Sequence, residues 1–197
     1  MLFEDIPVVG TLTTSAPPWE TWTPDIDTNL LDLTAGRDFP EQTRVVSQDY
    51  ISDNYEENGY ATIYTDGSKT STGAAYSVYV PALFLSITNK CDVSHSAYSI
   101  ELLAISRALT WVSSYTYTPD RKYVILCDCL SVHSPDHPVI AEILESFRTI
   151  RRHEIVVVLA WVPGHVGVPG NESTDRLAHR TAISTGVPTK SKLKVQS

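Results

Sequence analysis

Cysteine is scarce in this sequence, and it has neither a long apolar run nor an export signal. Three cysteines occur among 197 residues, and no two of them form a C-x-x-C pair. This pattern excludes a disulfide-stapled secreted scaffold. No apolar run approaches the roughly 18 residues of a membrane-spanning helix, and no charged and apolar leader opens the chain. We therefore expect an intracellular protein, of nucleus or cytoplasm, with no membrane partner.

Basic side chains are nearly absent from the first third of the chain. Residues 1–59 hold twelve acidic side chains and two arginines, a net charge of −10, whereas the whole chain carries −8. Residues 60–197 hold thirteen basic and eleven acidic side chains, a net charge of +2. Because the negative charge is concentrated in one segment, the acidic total does not exclude a nucleic-acid partner for the rest.

Hydrophobic periodicity is also missing from the first third. Residues 1–58 contain five prolines spaced among threonine and aspartate. We predict an acidic, partly ordered N-terminal extension or connector there, with a short helix at 29–33 and with Trp19 and Trp22 exposed for docking. Residues 59–184 are predicted to form the main domain, and residues 185–197 a flexible C-terminal tail.

The main domain alternates between strand and helix patterns. Apolar and β-branched runs predict strands, and apolar residues at helical spacing predict helices. Gly170 or Asn171 is predicted to cap the last helix. The order βββαβαβα predicts an α/β fold with a mixed five-stranded sheet, three strands antiparallel and two parallel, and helices on both faces. The predicted strands span 60–66, 73–80, 83–88, 122–127 and 155–162, and the helices 99–113, 139–151 and 171–184.

Four acidic residues in these elements are candidates for one functional site. Asp66 ends the first strand, Asp128 ends the fourth, Glu101 lies in the first turn of the long helix, and Asp175 lies in the last helix. Aspartate is depleted in strands and is rarely buried unless it is paired or holds a metal. If the two strands are neighbours, their acids meet at one edge of the sheet, and the long helix presents its glutamate to that edge.

Such a cluster has a chemical requirement. Converging carboxylates without matching bases repel one another, so they require cations. Oxygen ligands alone favour Mg²⁺ or Mn²⁺ over zinc. Two such ions about 4 Å apart could activate a water and stabilise the leaving oxygen of a phosphodiester. Each acid taken alone is more often a helix cap or a solvated turn, so the prediction depends on the four together.

Five motifs carry a resemblance to a known family. In their order along residues 60–184 they resemble the type 1 ribonuclease H family, most closely the RNase H domains of non-LTR (LINE-like) retrotransposon polyproteins. The lead-in Pro17-Pro18-Trp19 is similar to the connector that follows the reverse transcriptase in those polyproteins. The motifs are Thr65-Asp-Gly-Ser68, Glu101-Leu-Leu-Ala-Ile-Ser-Arg-Ala-Leu109, Asp128-Cys-Leu-Ser131, Trp161-Val-Pro-Gly-His165 and Gly170-Asn-Glu-Ser-Thr-Asp-Arg-Leu-Ala178.

The resemblance implies a ribonuclease H-like fold and an endonuclease that hydrolyses the RNA strand of RNA–DNA hybrids by a two-metal-ion mechanism. It implies two Mg²⁺ ions, with Mn²⁺ as a possible substitute, and His165 in proton transfer or product release. It also implies a monomer derived from a polyprotein with an upstream reverse transcriptase. The implied metal ligands are Asp66, Glu101, Asp128 and Asp175, and the implied substrate contacts are Gly67, Ser68, Lys69 and Asn171, with Arg176 and Arg180 as further candidates for phosphate contacts.

Two departures from the family pattern keep an alternative open. Cys129 stands where serine is usual, which is a small change. The stretch His133–Pro138 is shorter than the full helix that relatives carry there, and Pro135 would end any helix early. The alternative is a catalytically weak or inactive retroelement remnant that acts as a binding or interaction module. A different nuclease or a transposase on the same architecture fits less well, because the last two motifs belong to the ribonuclease H branch.

Overall fold

A mixed six-stranded sheet forms the centre of the described chain. The computed structural model describes residues 24–36, 39–114, 121–129 and 137–185. Its strands are β1 Asp25–Asp27, β2 Ala61–Lys69, β3 Ala74–Val80, β4 Leu85–Cys91, β5 Lys122–Cys127 and β6 Val156–Trp161. Its helices are α1 Asn29–Thr34, α2 Pro40–Ile51, α3 Ala97–Ser114, α4 Pro138–Arg152 and α5 Pro169–Ile183, with a π-helical turn at Ser52–Glu56 and a 3₁₀ turn at Pro81–Leu83.

The strand order is β1-β6-β5-β2-β3-β4. Strands β2, β3 and β4 form an antiparallel meander, and β5, β6 and β1 continue the sheet in parallel from β2. The predicted α/β fold is therefore confirmed, with one strand more than the five predicted. The additional strand, β1, comes from the segment predicted to be an extension.

Alternating side chains of the central strands feed two separate cores. In β2, Ile63 packs in the larger core beneath α3 and α4, whereas Tyr64 packs in a second core on the opposite face. Strand β5 is buried on both faces, which suits its unbroken apolar sequence. Helix α5 lies across β2 and β3 on the second face, where the Ser77 hydroxyl of β3 donates to the carbonyl of Thr174 at 2.7 Å.

The second core recruits the N-terminal segment. Leu30, Ile51 and Tyr55 are each at most 5% exposed and pack with apolar residues of β5 and β6. The hydroxyls of Tyr50 and Tyr55 both donate to the carboxylate of Asp27 on β1, the former at 2.6 Å. The short helix predicted at 29–33 is present, whereas α2 and β1 were not predicted. The division at residue 58 stays a prediction, but the described parts of this segment, 24–36 and 39–56, contribute to the second core.

Several element boundaries were predicted wrongly. The first strand was predicted to end at Asp66, but β2 continues to Lys69, because residues 66–69 stay paired with β3. The third predicted strand starts later, at Leu85, because Pro81–Leu83 forms a 3₁₀ turn and Phe84 adopts a left-handed backbone with φ 50°. Helix α5 begins at Pro169 with Val168 as its N-cap, and neither Gly170 nor Asn171 caps it. Proline is favoured at the first helical position because its missing N–H would have no partner there.

Several predictions lie outside the described residues. They concern the docking of Trp19 and Trp22, the stretch that follows Asp128 from 130 to 136, and the tail beyond residue 185. Within the described part of the chain, no helix is both long enough and apolar enough to cross a membrane.

Candidate metal centre

Strand pairing brings two of the predicted acids together. Strands β2 and β5 run side by side in parallel, with Tyr64 opposite Leu126. Two residues later, Asp66 lies within β2, opposite Ser77 of β3, and Asp128 directly follows β5, so the two acids stand beside each other where β5 ends. Glu101 reaches them from the face of α3 that packs on the sheet. One oxygen from each of these three carboxylates can be chosen so that all lie within 4.8 Å of one another.

Gly67 lets Glu101 approach this closely. A β-carbon at position 67 would lie 2.9 Å from the backbone nitrogen of Glu101 and 3.0 Å from its carboxylate carbon. The first of these distances is shorter than real β-carbon contacts allow, and the atom it meets is backbone, which cannot turn aside. Glycine is therefore required here by the close approach of α3, which explains why glycine follows Asp66 inside β2.

Burial and mutual repulsion govern the protonation of the cluster. Burial, followed by the charges of Asp128 and Asp175, raises the pKa of Asp66 to about 8. Burial, followed by the charges of Asp66 and Asp128, raises the pKa of Glu101 to about 9. A hydrogen bond from the backbone of Gly67 opposes both rises. Carboxyls with such pKa values stay largely protonated at neutral pH unless a cation compensates their charge.

Asp128 is the better compensated of the three. Burial raises its pKa, while the nearby His165 and a hydrogen bond from the side chain of Asn171 lower it. The indole Nε1 of Trp161, on the neighbouring strand β6, donates to the backbone carbonyl of Asp128 at 3.0 Å. Strand pairing and these contacts fix the position of this carboxylate.

The donor set fits a hard divalent cation. Asp66 is 5% exposed, and its Oδ2 has no hydrogen-bond partner among the described residues. A buried carboxylate oxygen without a partner is costly unless a charge or donor reaches it. The three side chains offer only oxygen ligands, the type that Mg²⁺ and Mn²⁺ prefer. These residues therefore meet the chemical requirements of the predicted metal site.

The other two predicted catalytic residues lie beside this triad. Asp175 of α5 is not one of the three clustered acids, but its charge contributes to the raised pKa of Asp66. Its Oδ2 lies 3.8 Å from Nδ1 of His165. The His165 side chain is 75% exposed, and its backbone is left-handed with φ 56°, a conformation that histidine adopts more readily than most residues. An exposed imidazole thus stands at the rim of a buried acidic cluster.

The predicted substrate contacts differ in accessibility. Lys69 is exposed, and its ammonium donates to the carbonyl of His95. Gly67 and Ser68 are half-buried. Asn171 is 2% exposed, and its side chain hydrogen-bonds to Asp128, so in this structure it supports that carboxylate. The support by Trp161 and Asn171 was not predicted, although both residues stand in motifs that the sequence made conspicuous.

Comparison with known proteins identifies the family. A family model described as RNase H matches residues 58–183. The chain is also similar to the crystal structure of RNase H1 from the halophilic archaeon Halobacterium salinarum NRC-1, with 13% identity and a TM-score of 0.45, over 62% of this chain and 97% of that chain. A crystal structure of the catalytic core domain of BIV integrase matches with 11% identity and a TM-score of 0.34, over 62% of this chain and 66% of that chain. Because the family model spans more than half of the sequence and contains the whole acidic triad, this chain belongs to the RNase H family.

Proposed function

We propose that this chain is a divalent-metal-dependent endonuclease that hydrolyses the RNA strand of RNA–DNA hybrids. The observation that carries the proposal is the convergence of Asp66, Glu101 and Asp128 on one site, inside a chain of the RNase H family. Burial, together with the charges of neighbouring acids, raises the pKa of Asp66 and of Glu101, which is unfavourable for the metal-free protein and is relieved by a bound cation. This arrangement suits metal-assisted hydrolysis better than a structural role.

The triad would hold Mg²⁺, with Mn²⁺ as a possible substitute, and Asp175 would complete the ligand set for a second ion. Two bound ions would supply Lewis-acid stabilisation of the charge that develops during phosphodiester hydrolysis. His165 is exposed at the rim and close to Asp175, so it can exchange a proton with solvent and with the leaving oxygen. The half-buried backbone at Gly67 borders Glu101, and a ribose 2′-hydroxyl could be recognised there by hydrogen bonds.

The wider setting is part of the same proposal. The residue sequences of the five motifs support an origin in a LINE-like retrotransposon polyprotein with a reverse transcriptase upstream. In this proposal the RNase H unit acts as a monomer. None of Cys91, Cys127 and Cys129 forms a disulfide, which supports a reducing, intracellular compartment.

Cleavage of a labelled RNA–DNA hybrid by the whole chain tests the proposed activity. We expect metal-dependent cutting of the RNA strand only, leaving 5′-phosphate and 3′-hydroxyl ends, and at least a hundredfold loss in Asp128→Asn, since each displaced ligand disturbs the charge stabilisation on which hydrolysis depends. Glu145→Gln is the matched control, because it removes one acid from an exposed position on α4.

A folded protein that cuts no hybrid with either Mg²⁺ or Mn²⁺ would refute the enzyme proposal. If that protein still bound the hybrid, the result would favour the alternative of an inactive binding module. Equal cutting of RNA–DNA hybrid and RNA duplex would instead refute the substrate assignment, because the site would then not distinguish the DNA strand.

A further inference from the structure

The loop that carries His165 is held in place from outside the family-matched region. This loop joins β6 to α5 and ends at Val168, which is 1% exposed. Val168 packs in the second core with Leu30, Ile51 and Tyr55, which all belong to the N-terminal segment. His165 itself is mostly exposed, and its Nδ1 lies 3.8 Å from Oδ2 of Asp175. Its position therefore depends on how the backbone on either side of it is anchored.

Arg44 of α2 supplies the closest such contact. Gly167 has a left-handed backbone with φ 91°, and a β-carbon built on it would lie 3.0 Å from Cδ and 3.8 Å from Cγ of Arg44. The aliphatic stem of Arg44 thus lies directly against the backbone two residues beyond His165. On the other side, the N–H of Gly167 donates to the carboxylate of Glu172 at 3.0 Å. The loop is held between α2 and the first turn of α5.

The head of Arg44 makes its polar contacts within its own helix. Its guanidinium donates to Glu41 and to Gln48, both on the same helix. The ion pair with Glu41 is exposed, and such pairs contribute little to stability by themselves. Long basic side chains commonly cover apolar or backbone surface with their stems while their heads stay in water. The contact with the loop is therefore one of packing, not of charge.

We propose that Arg44 is a positioning residue for His165, and that the segment 24–56 is thereby a working part of the catalytic unit. The effect on catalysis rests on the proposed function, whereas the anchoring of the loop does not. Arg44 contacts Gly167, in the loop that carries the imidazole, and this contact does not involve the acidic triad. Its loss should accordingly slow the proton-transfer step. It should affect metal binding less, and only through the charge of His165 near Asp128.

Kinetics of hybrid cleavage by the full chain provide the first test. We expect Arg44→Ala to lower kcat roughly tenfold with little change in KM, because a small displacement of a proton-transferring group is costly while substrate binding is untouched. Arg44→Met retains the stem without the charge and should restore kcat to within about twofold of the wild type. Val45→Ala, at an exposed position of the same helix, is the matched control and should resemble the wild type.

Either of two kinetic results would overturn the proposal. Equal kcat values for Arg44→Ala and Val45→Ala would show that the contact does not position the loop. An Arg44→Met variant as slow as Arg44→Ala would show that charge, not packing, is responsible. A thermal unfolding curve for each variant shows whether a change in kcat reflects lost folding.

Hydrogen exchange separates this proposal from the proposed activity. If Arg44 anchors the loop, backbone amides at 164–167 should exchange several-fold faster in Arg44→Ala than in Val45→Ala, with exchange in β5 unchanged. Gly167→Ala adds a second readout, because its clash with Arg44 should be partly relieved in the double variant with Arg44→Ala. Unchanged exchange and additive effects on unfolding would refute the anchoring even in an active enzyme. Faster exchange in a protein that cuts no hybrid would support the anchoring and refute only the activity.

Discussion

Replacing Asp66 with asparagine should stabilise the metal-free protein. The side chain is buried beside Asp128, and its pKa is raised from 3.8 to about 8. A pKa that is higher in the folded than in the unfolded state means that the folded protein holds the proton more tightly. Stability is then greatest below the unfolded pKa and is lost as the pH rises from about 4 to about 8. The amide removes this loss because it does not ionise.

The magnitude follows from the same values. Each unit of difference between the folded and unfolded pKa corresponds to about 1.36 kcal/mol. The ionisation of Asp66 alone should therefore lower the free energy of unfolding by on the order of 5 kcal/mol across this pH range. Glu101, with a pKa of about 9, extends the decline to higher pH. The new amide must find an acceptor, which the neighbouring carboxylates provide, so its own burial should cost only about 1 kcal/mol. A net gain of a few kcal/mol is expected at pH 8.

Urea unfolding in EDTA at pH 5, 7 and 9, followed by tryptophan fluorescence, measures this gain. The wild type should lose stability over that range, whereas Asp66→Asn should lose less. Divalent metal should then narrow the difference, because binding at a hundred times Kd adds about 2.7 kcal/mol to the protein that retains the site. Glu145→Gln, an exposed acid, should change stability by less than about 0.5 kcal/mol. A wild type with constant stability from pH 5 to 9, or a variant less stable than it throughout, would refute this account of the cluster.

Two further substitutions probe the supports of the triad. Gly67→Ala should push the start of α3 and Glu101 away from the other acids, since its β-carbon would lie 2.9 Å from the backbone nitrogen of Glu101. Titration calorimetry with Mn²⁺ should then show at least tenfold weaker binding. Unchanged affinity would mean that the close approach of α3 is not needed for metal binding. Asn171→Ala removes a hydrogen bond that lowers the pKa of Asp128, and it should weaken metal binding by about 10- to 100-fold. This loss of affinity should become smaller as the pH rises, because Asp128 is then deprotonated in both proteins. A loss of affinity that does not change with pH would contradict this cause.

Helix α2 shows why part of the fold escaped prediction. The residues it buries are Thr43, Ser47 and Ile51, which recur at helical spacing but are mostly hydroxylic. Each hydroxyl donates to the carbonyl one turn earlier in the helix, Ser47 to Thr43 at 2.8 Å and Thr43 to Phe39 at 3.3 Å. Burial therefore leaves no polar group unpaired, and a helix of this kind has no apolar stripe by which to be recognised. Helix α3, whose buried face is apolar, was predicted to within two residues at its start.

The same distinction applies to strand β1 and to the site. A strand of sequence Asp-Ile-Asp has no local signal, and it depends on pairing with β6 and on two tyrosine hydroxyls that reach Asp27 from later in the chain. The triad, by contrast, was predictable because each acid stands inside a recognisable motif, although Asp66 lies within β2 and not at its end. The contact between Arg44 and Gly167 joins residues far apart in sequence, so only the folded structure could reveal it.

The position of β1 in the sheet also dictates an order of folding. Asp25 pairs with Val158, across most of the described chain, whereas β2, β3 and β4 pair with their immediate neighbours in sequence. Closing a long loop has an entropic cost that local pairing avoids, so the meander can form first and β1 must wait for β6. During synthesis, Leu30, Ile51 and Tyr55 emerge long before the strands that bury them. We therefore expect the nascent chain to need protection at its N-terminal segment, and the His165 loop to become ordered in one of the last steps of folding.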